Sequence, residues 1–255
     1  MRREVLDAIV KSGKSHIGGT YSATDLLVAL YYEKFLRPGR DRFILSKGHA
    51  CSALYAIFLD MGMMPRRVYD SYGKNGGLGG QLETYIPGVD FNTGSMGHAI
   101  GVAAGMALAA RMSAKGGSAS GGDKFRAVTI IGDAELFEGS CWEAIIFAGQ
   151  IGLKNLVVIV DRNRLSVTDV IEDDSVYMDF KKKIESFGWR HERINGHNFA
   201  DIKKAFHAIN RSSKPTMIIA DTIKGKGGSF MENNVAWHNA LPSPDQIAAA
   251  RKELL

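Results

Sequence analysis

Asp133 and Asn163 are the residues whose types and spacing most directly suggest chemistry. A carboxylate and an amide oxygen are hard donors. A hard cation such as magnesium takes about six oxygens at roughly 2.1 Å and commonly shares them with phosphates. Asp133 follows the apolar run Ala127-Val128-Thr129-Ile130-Ile131, and Asn163 follows Val157-Val158-Ile159-Val160. A backbone carbonyl just past Asn163, at Leu165, would add a third oxygen. The backbone amides of Gly132, Asp133, Ala134 and Glu135, near a helix start, suit phosphate oxygens. Turn chemistry at two strand ends would use the same residue types.

The elements around these residues explain why they should meet. Both apolar runs read as buried strands, and residues 140–151 between them read as a helix, so the interval is a βαβ unit. Adjacent parallel strands end on the same edge of a sheet, where open α/β sheets bind their ligands. Elsewhere the periodicity predicts helices at the N-terminus and over 22–35, 48–61, 96–112, 176–187, 199–210 and 244–255. Ser22 or Thr24 would cap the second of these. Short strands are predicted at 42–45, 189–194 and 216–220. Residues 73–93, with six glycines and one proline, and residues 224–234 read as loops. Residues 113–124 (SAKGGSASGGDK) read as a flexible surface connection. The expectation is one α/β domain over 1–255, with a mostly parallel β-sheet flanked by helices.

Composition narrows the function. The chain has 255 residues, 45% hydrophobic and 23% charged, and a net charge of +5, which suits one large globular domain. The basic residues are dispersed apart from Lys181-Lys182-Lys183, which reads as a solvated helix face. No aromatic-plus-basic pattern points to nucleic acid. The longest stretch of small and apolar residues is too short to span a membrane. Cys51 and Cys141 lack metal-ligand spacing and read as buried, reduced thiols, which fits a cytoplasmic setting.

Four ordered segments carry a resemblance. Gly132-Asp133-Ala134-Glu135-Leu136-Phe137-Glu138-Gly139, continued by Trp142-Glu143-Ala144 and closed by Asp161-Arg162-Asn163, resembles the thiamine diphosphate motif of the transketolase family. Ser15-His16-Ile17-Gly18-Gly19 resembles that family's N-terminal substrate-facing motif. Ser46-Lys47-Gly48-His49, after Arg42-Phe43-Ile44-Leu45, resembles its second motif. Thr93-Gly94-Ser95-Met96-Gly97-His98 resembles its segment beside the aminopyrimidine ring.

The resemblance implies thiamine diphosphate and Mg2+ (or Ca2+ or Mn2+) as cofactors. Asp133, Asn163 and the Leu165 carbonyl would hold the metal. His49 and His238 would contact the diphosphate, Gly94 and Met96 the pyrimidine, and Val167 would pack on the cofactor. His16, His49 and His238 are the implied catalytic residues, with His16 and His238 facing a sugar substrate. Histidines near their ordinary pKa would suit proton relay there. Glu138 and Glu143 match acidic residues at the family's subunit interface. His98, His191, His197 and His207 have no such support, and His207 reads as a surface residue.

Three departures matter. Ala134 stands where the family has glycine and would crowd the diphosphate. Gln81, in Gly80-Gln81-Leu82-Glu83, stands where the family has a substrate-facing histidine. The chain ends about where the family's diphosphate-binding domain ends. It therefore resembles the N-terminal subunit of a split transketolase. The implied partner is a C-terminal subunit with the pyrimidine-binding domain and its activating glutamate, in a two-plus-two heterotetramer acting on small sugar phosphates. Two other readings are a related subunit passing a two-carbon unit to a lipoyl or acyl-carrier thiol, and a non-catalytic regulatory subunit.

Overall fold

The computed structural model describes residues 1–14, 16–113, 125–167, 169–172 and 175–254. Five parallel strands form one sheet: β1 (Arg42–Leu45), β2 (Ala127–Gly132), β3 (Leu156–Arg162), β4 (Arg190–Asn195) and β5 (Thr216–Asp221), in the order β1-β2-β3-β5-β4. β2 and β3 are buried along their whole length. That is why they read as unbroken apolar runs rather than alternating ones. Alternate residues serve opposite faces. Val128, Ile130, Val157 and Ile159 point into one core with α1 (Arg2–Ser12), α2 (Ile17–Tyr32), α3 (Cys51–Asp60) and α8 (Phe199–Ile209). Ile131, Val158 and Val160 point into a second core with α5 (Ala99–Met112), α6 (Gly139–Ile151) and α7 (Phe180–Ser186).

Most expected elements are present with shifted ends. The helix expected over 22–35 begins at Ile17. Ser22 and Thr24 are interior rather than caps. The hydroxyls of Thr20, Ser22 and Thr24 donate back to carbonyls one turn earlier, at 2.9, 3.0 and 2.8 Å. Gly18 and Gly19 do not end the helix because their lack of Cβ is used for contact. A Cβ at Gly18 would lie 2.6 Å from the Trp237 carbonyl, and one at Gly19 would lie 3.1 Å from His49 Nε2. The helix expected over 176–187 starts only at Phe180, after Asp179 at φ 49°. The helix expected from Met96 starts at Ala99. A short α4 (Arg66–Tyr69) was not expected, and α9 (Pro244–Glu253) carries a Ser243–Gln246 capping box. Cys51 and Cys141 are buried free thiols. Of the expected flexible connection, residues 114–124 lie outside the described residues.

Candidate functional site

All the strand ends needed for a site converge on one edge. Gly132 pairs with Asp161 at the end of the β2–β3 ladder, and Arg162 with Asp221 at the end of β3–β5. Asp133 and Asn163 are therefore carried side by side, as parallel pairing requires. Both reach into the turn after β3. Asp133 Oδ2 accepts the Arg164 amide at 2.5 Å, and Asn163 Oδ1 accepts the next amide, of Leu165, at 3.1 Å. Tyr177 Oη donates to the Asp133 carbonyl at 3.2 Å. Burial raises the pKa of Asp133 to about 6, and the nearby Asp161 carboxylate adds to the effect. A carboxylate so placed favours a cation beside it.

A cation is already part of the arrangement. Lys224, on the loop after β5, is 2% exposed. Its ammonium donates to the Leu165 and Ser166 carbonyls at 3.2 and 2.8 Å and reaches His238 Nδ1 at 3.1 Å. Burial, then the charge of Lys47, lowers its pKa to about 8. An ammonium has only donors. His238 Nδ1 is therefore the acceptor, and its ring proton sits on Nε2. Sequence reasoning missed Lys224; a lone lysine in a glycine-containing loop gives no signal of its own. It missed Lys47 as well. That buried ammonium pairs with the Asp161 carboxylate, which also accepts from Ser22 Oγ at 2.6 Å and from Thr222 Oγ1. Lys47 Nζ donates to the Gly19 carbonyl at 3.1 Å, tying β1's exit to α2.

The three histidines expected to act together do meet. Ring centroids of His16 and His49 are 5.2 Å apart, of His16 and His238 5.5 Å, and of His49 and His238 5.8 Å. Their expected ordinary pKa does not hold. Burial lowers all three, with Lys47 the next cause at His49 and Lys224 the next at His16 and His238; His238 falls to about 4. At neutral pH this is a cluster of neutral imidazoles beside two ammonium groups.

Two of the amides expected to face phosphate are engaged within the chain. Ala134 N donates to Asp133 Oδ1 at 2.9 Å, and Gly132 N to Glu135 Oε2 at 3.3 Å. The Ala134 side chain packs against the core under α5 and α6. Glu135 is fully buried and links three segments. Its Oε1 accepts from Ser46 Oγ at 2.5 Å and from Gly97 N at 2.9 Å. It thus binds the exits of β1 and β2 to the segment containing Gly94 and Met96. Gly94 has φ 124°, a backbone conformation glycine adopts readily. The Met96 side chain lies over Gly132; a Cβ there would be 3.8 Å from Met96 Cε. Val167 is 62% exposed at the site's rim. Glu138 and Glu143 are exposed on α6 and its N-cap.

Gln81 lies at the same edge. Its Oε1 and Thr93 Oγ1 are buried and lack a hydrogen-bond partner among the described residues. Both crowd the point where a Cβ on Gly48 would stand, and Gln81 Cδ would lie 3.2 Å from one on Gly94. Two unmatched polar atoms between the His49 motif and Gly94 suit a ligand's hydroxyl or amino groups. Among the described residues there is no cluster of three or more His, Cys, Asp or Glu that could hold a metal. The oxygen set of Asp133, Asn163 and the Leu165 carbonyl fits a cation that completes its shell with ligand oxygens.

The sequence matches the family described as transketolase, thiamine diphosphate binding domain, over residues 1–254. It is 35% identical over 264 residues to one of the subunits of the apulose-4-phosphate transketolase of Phocaeicola vulgatus, covering 99% of this chain and 90% of that one. It is also 35% identical to a 6-deoxy-6-sulfo-D-fructose transketolase subunit of a Clostridium species, covering 100% and 93%. Among solved structures, transketolase from Campylobacter jejuni superposes with a TM-score of 0.88 at 29% identity, over 99% of this chain. The chain spans 41% of the length of that structure.

Proposed function

This chain belongs to the transketolase family, through its thiamine diphosphate binding domain, and from that premise we propose that it is the N-terminal subunit of a two-component transketolase. In this reading it moves a two-carbon ketol unit from a ketose phosphate to an aldehyde. The carrying observation is that His16, His49 and His238 face one another at the sheet edge where Asp133 and Asn163 emerge. The near end-to-end match to chains called transketolase subunits supports the split arrangement.

Thiamine diphosphate, when bound, supplies the nucleophilic carbon that ketol transfer requires. Asp133, Asn163 and the Leu165 carbonyl would hold Mg2+, Ca2+ or Mn2+ against its diphosphate. His49 would face the diphosphate as a donor, and Lys224, whose three N–H groups hold Leu165, Ser166 and His238, would add positive charge beside it. The backbone at Gly94 and Met96, and the side chain of Val167, would border the cofactor's rings. His238, with its proton fixed on Nε2, would donate to a substrate oxygen, and neutral His16 would accept or return a proton. Gln81 and Thr93 would read the donor sugar's hydroxyls.

The partner would be a chain with the pyrimidine-binding domain and its activating glutamate, in a two-plus-two assembly that the exposed Glu138 and Glu143 would border. Both chains would work in the cytoplasm. The test is reconstitution with the protein from the neighbouring reading frame, magnesium and thiamine diphosphate. Ketol transfer to an aldehyde is expected from the mixture and from neither chain alone. Activity from this chain alone, or transfer only to a carrier thiol, would overturn the reading.

A further inference from the structure

His197 lies outside the histidine cluster, and its two ring nitrogens are both engaged. It follows β4, in the Asn195-Gly196-His197 turn, and its side chain is 11% exposed. Nε2 accepts the Ile223 amide at 2.8 Å, so the ring proton is on Nδ1, which donates to Asp25 Oδ2 at 2.7 Å. Asp25, in α2, is in turn gripped through both oxygens by Arg2 of α1, each at 2.8 Å. Arg2 also donates to the Tyr21 carbonyl at 2.9 Å. The resulting chain, Arg2–Asp25–His197–Ile223, ends one residue before Lys224.

The surrounding contacts make this an anchor for the loop after β5. Gly196 N donates to the Asp221 carbonyl at 2.7 Å, and a Cβ on Gly196 would lie 3.1 Å from Ala220 Cβ. The β4 turn is therefore pressed against β5's exit. On the far side of Ile223, Gly225 N donates to the Gly18 carbonyl at 3.0 Å. Lys224 projects between these two pins. Its ammonium holds Leu165, Ser166 and His238 in their relative places.

We propose that His197 is a positioning residue for the active site: through the Ile223 amide it fixes the Lys224 ammonium, and so His238 and the turn bearing the Leu165 carbonyl. It does not touch the site itself. Its role in catalysis rests on the transketolase reading above, but the anchoring does not.

Two variants separate the anchor from simple packing. Gln can place an acceptor where Nε2 stands, and Asn can only replace the Nδ1 donor. The first measurement is amide hydrogen exchange of this chain by mass spectrometry. His197→Asn should speed exchange of residues 222–238 about tenfold and leave peptides from β2 and β3 unchanged; His197→Gln should stay close to the parent. The second is calorimetry with thiamine diphosphate and magnesium on the assembled two-chain enzyme, alongside its kinetics. Asn should weaken cofactor binding and lower kcat about tenfold, with Gln restoring most of both. Unchanged exchange over 222–238 in the Asn variant, or equal defects in Asn and Gln, would overturn the proposal. If the parent assembly binds no thiamine diphosphate, the transketolase reading fails, while the exchange result still decides whether His197 anchors the loop.

Discussion

Burial raises the pKa of Asp133 from 3.8 to about 6. Between about pH 4 and 6 the folded chain thus holds a proton there that the unfolded chain has released. Stability contributed by this group is present at low pH and is lost as pH rises from about 4 through 6. Asp133→Asn is therefore expected to stabilise the cofactor-free chain at pH 7–8 by on the order of 1–3 kcal/mol, measured by urea unfolding, while abolishing metal-dependent cofactor binding. A less stable variant would mean that its amide contacts outweigh its burial. The histidines act in the opposite direction. With His238 lowered to about 4 and His16 and His49 also lowered, their contribution is complete above pH 6.5 and is lost as pH falls towards 4. His238→Gln should flatten the acid limb of the stability profile. In the reconstituted enzyme, His238→Ala should cut kcat about 100-fold and change cofactor affinity far less. Equal losses would reduce it to a diphosphate ligand. Gln81→Leu should raise the donor KM at least as much as it lowers kcat, since it removes the unmatched Oε1 and leaves the metal oxygens in place.

At the scale of elements, close backbone approaches place these residues. Gly149, in α6, packs so tightly on the 187–189 turn that a Cβ would overlap the Phe187 carbonyl and lie 3.1 Å from Trp189 Cδ1. Gly149→Ala should cost about 3 kcal/mol or more, seen as a fall in melting temperature. Gly19→Ala meets His49's ring at 3.1 Å and Lys47 Nζ at an ordinary contact distance of 3.8 Å, and should remain folded with a displaced imidazole. Melting temperatures reduced equally by the two would contradict this contrast. The sequence was informative about these elements where periodicity was strong. β2, β3 and the helix between them were legible because burial on both faces demands apolar runs of strand length. The start of α2 was not. Glycine, serine and threonine at its N-terminal end signal caps by propensity, whereas here they permit close packing and back-bonding.

At the scale of the molecule, α5 and α6 present small and apolar residues outward. Gly101 and Gly105 are exposed, as are Phe137 at 57%, Phe147 at 41% and Ile146 at 37%, with Glu138 and Glu143 beside them. In the two-chain reading proposed above, this face would meet the partner chain. Phe147→Glu should leave the chain's circular dichroism intact and weaken its co-elution with the partner. Retained co-elution would place the interface elsewhere. No helix among the described residues is long and apolar enough to cross a membrane.

The family, the parallel sheet and the pairing of Asp133 with Asn163 were already legible in residue order, because strand order and a fixed βαβ spacing dictate which residues leave the same edge. Motifs likewise marked His16, His49 and His238. Their chemical state was set by the folded arrangement alone. Their own burial, and then the ammonium groups of Lys47 and Lys224 brought in from separate loops, keep those rings neutral at physiological pH. The Arg2–Asp25–His197–Ile223 chain is likewise a product of folding, since its members come from four segments distant in sequence. Charge, desolvation and long-range hydrogen bonds depend on distances in space, and residue order along the chain does not encode those distances locally.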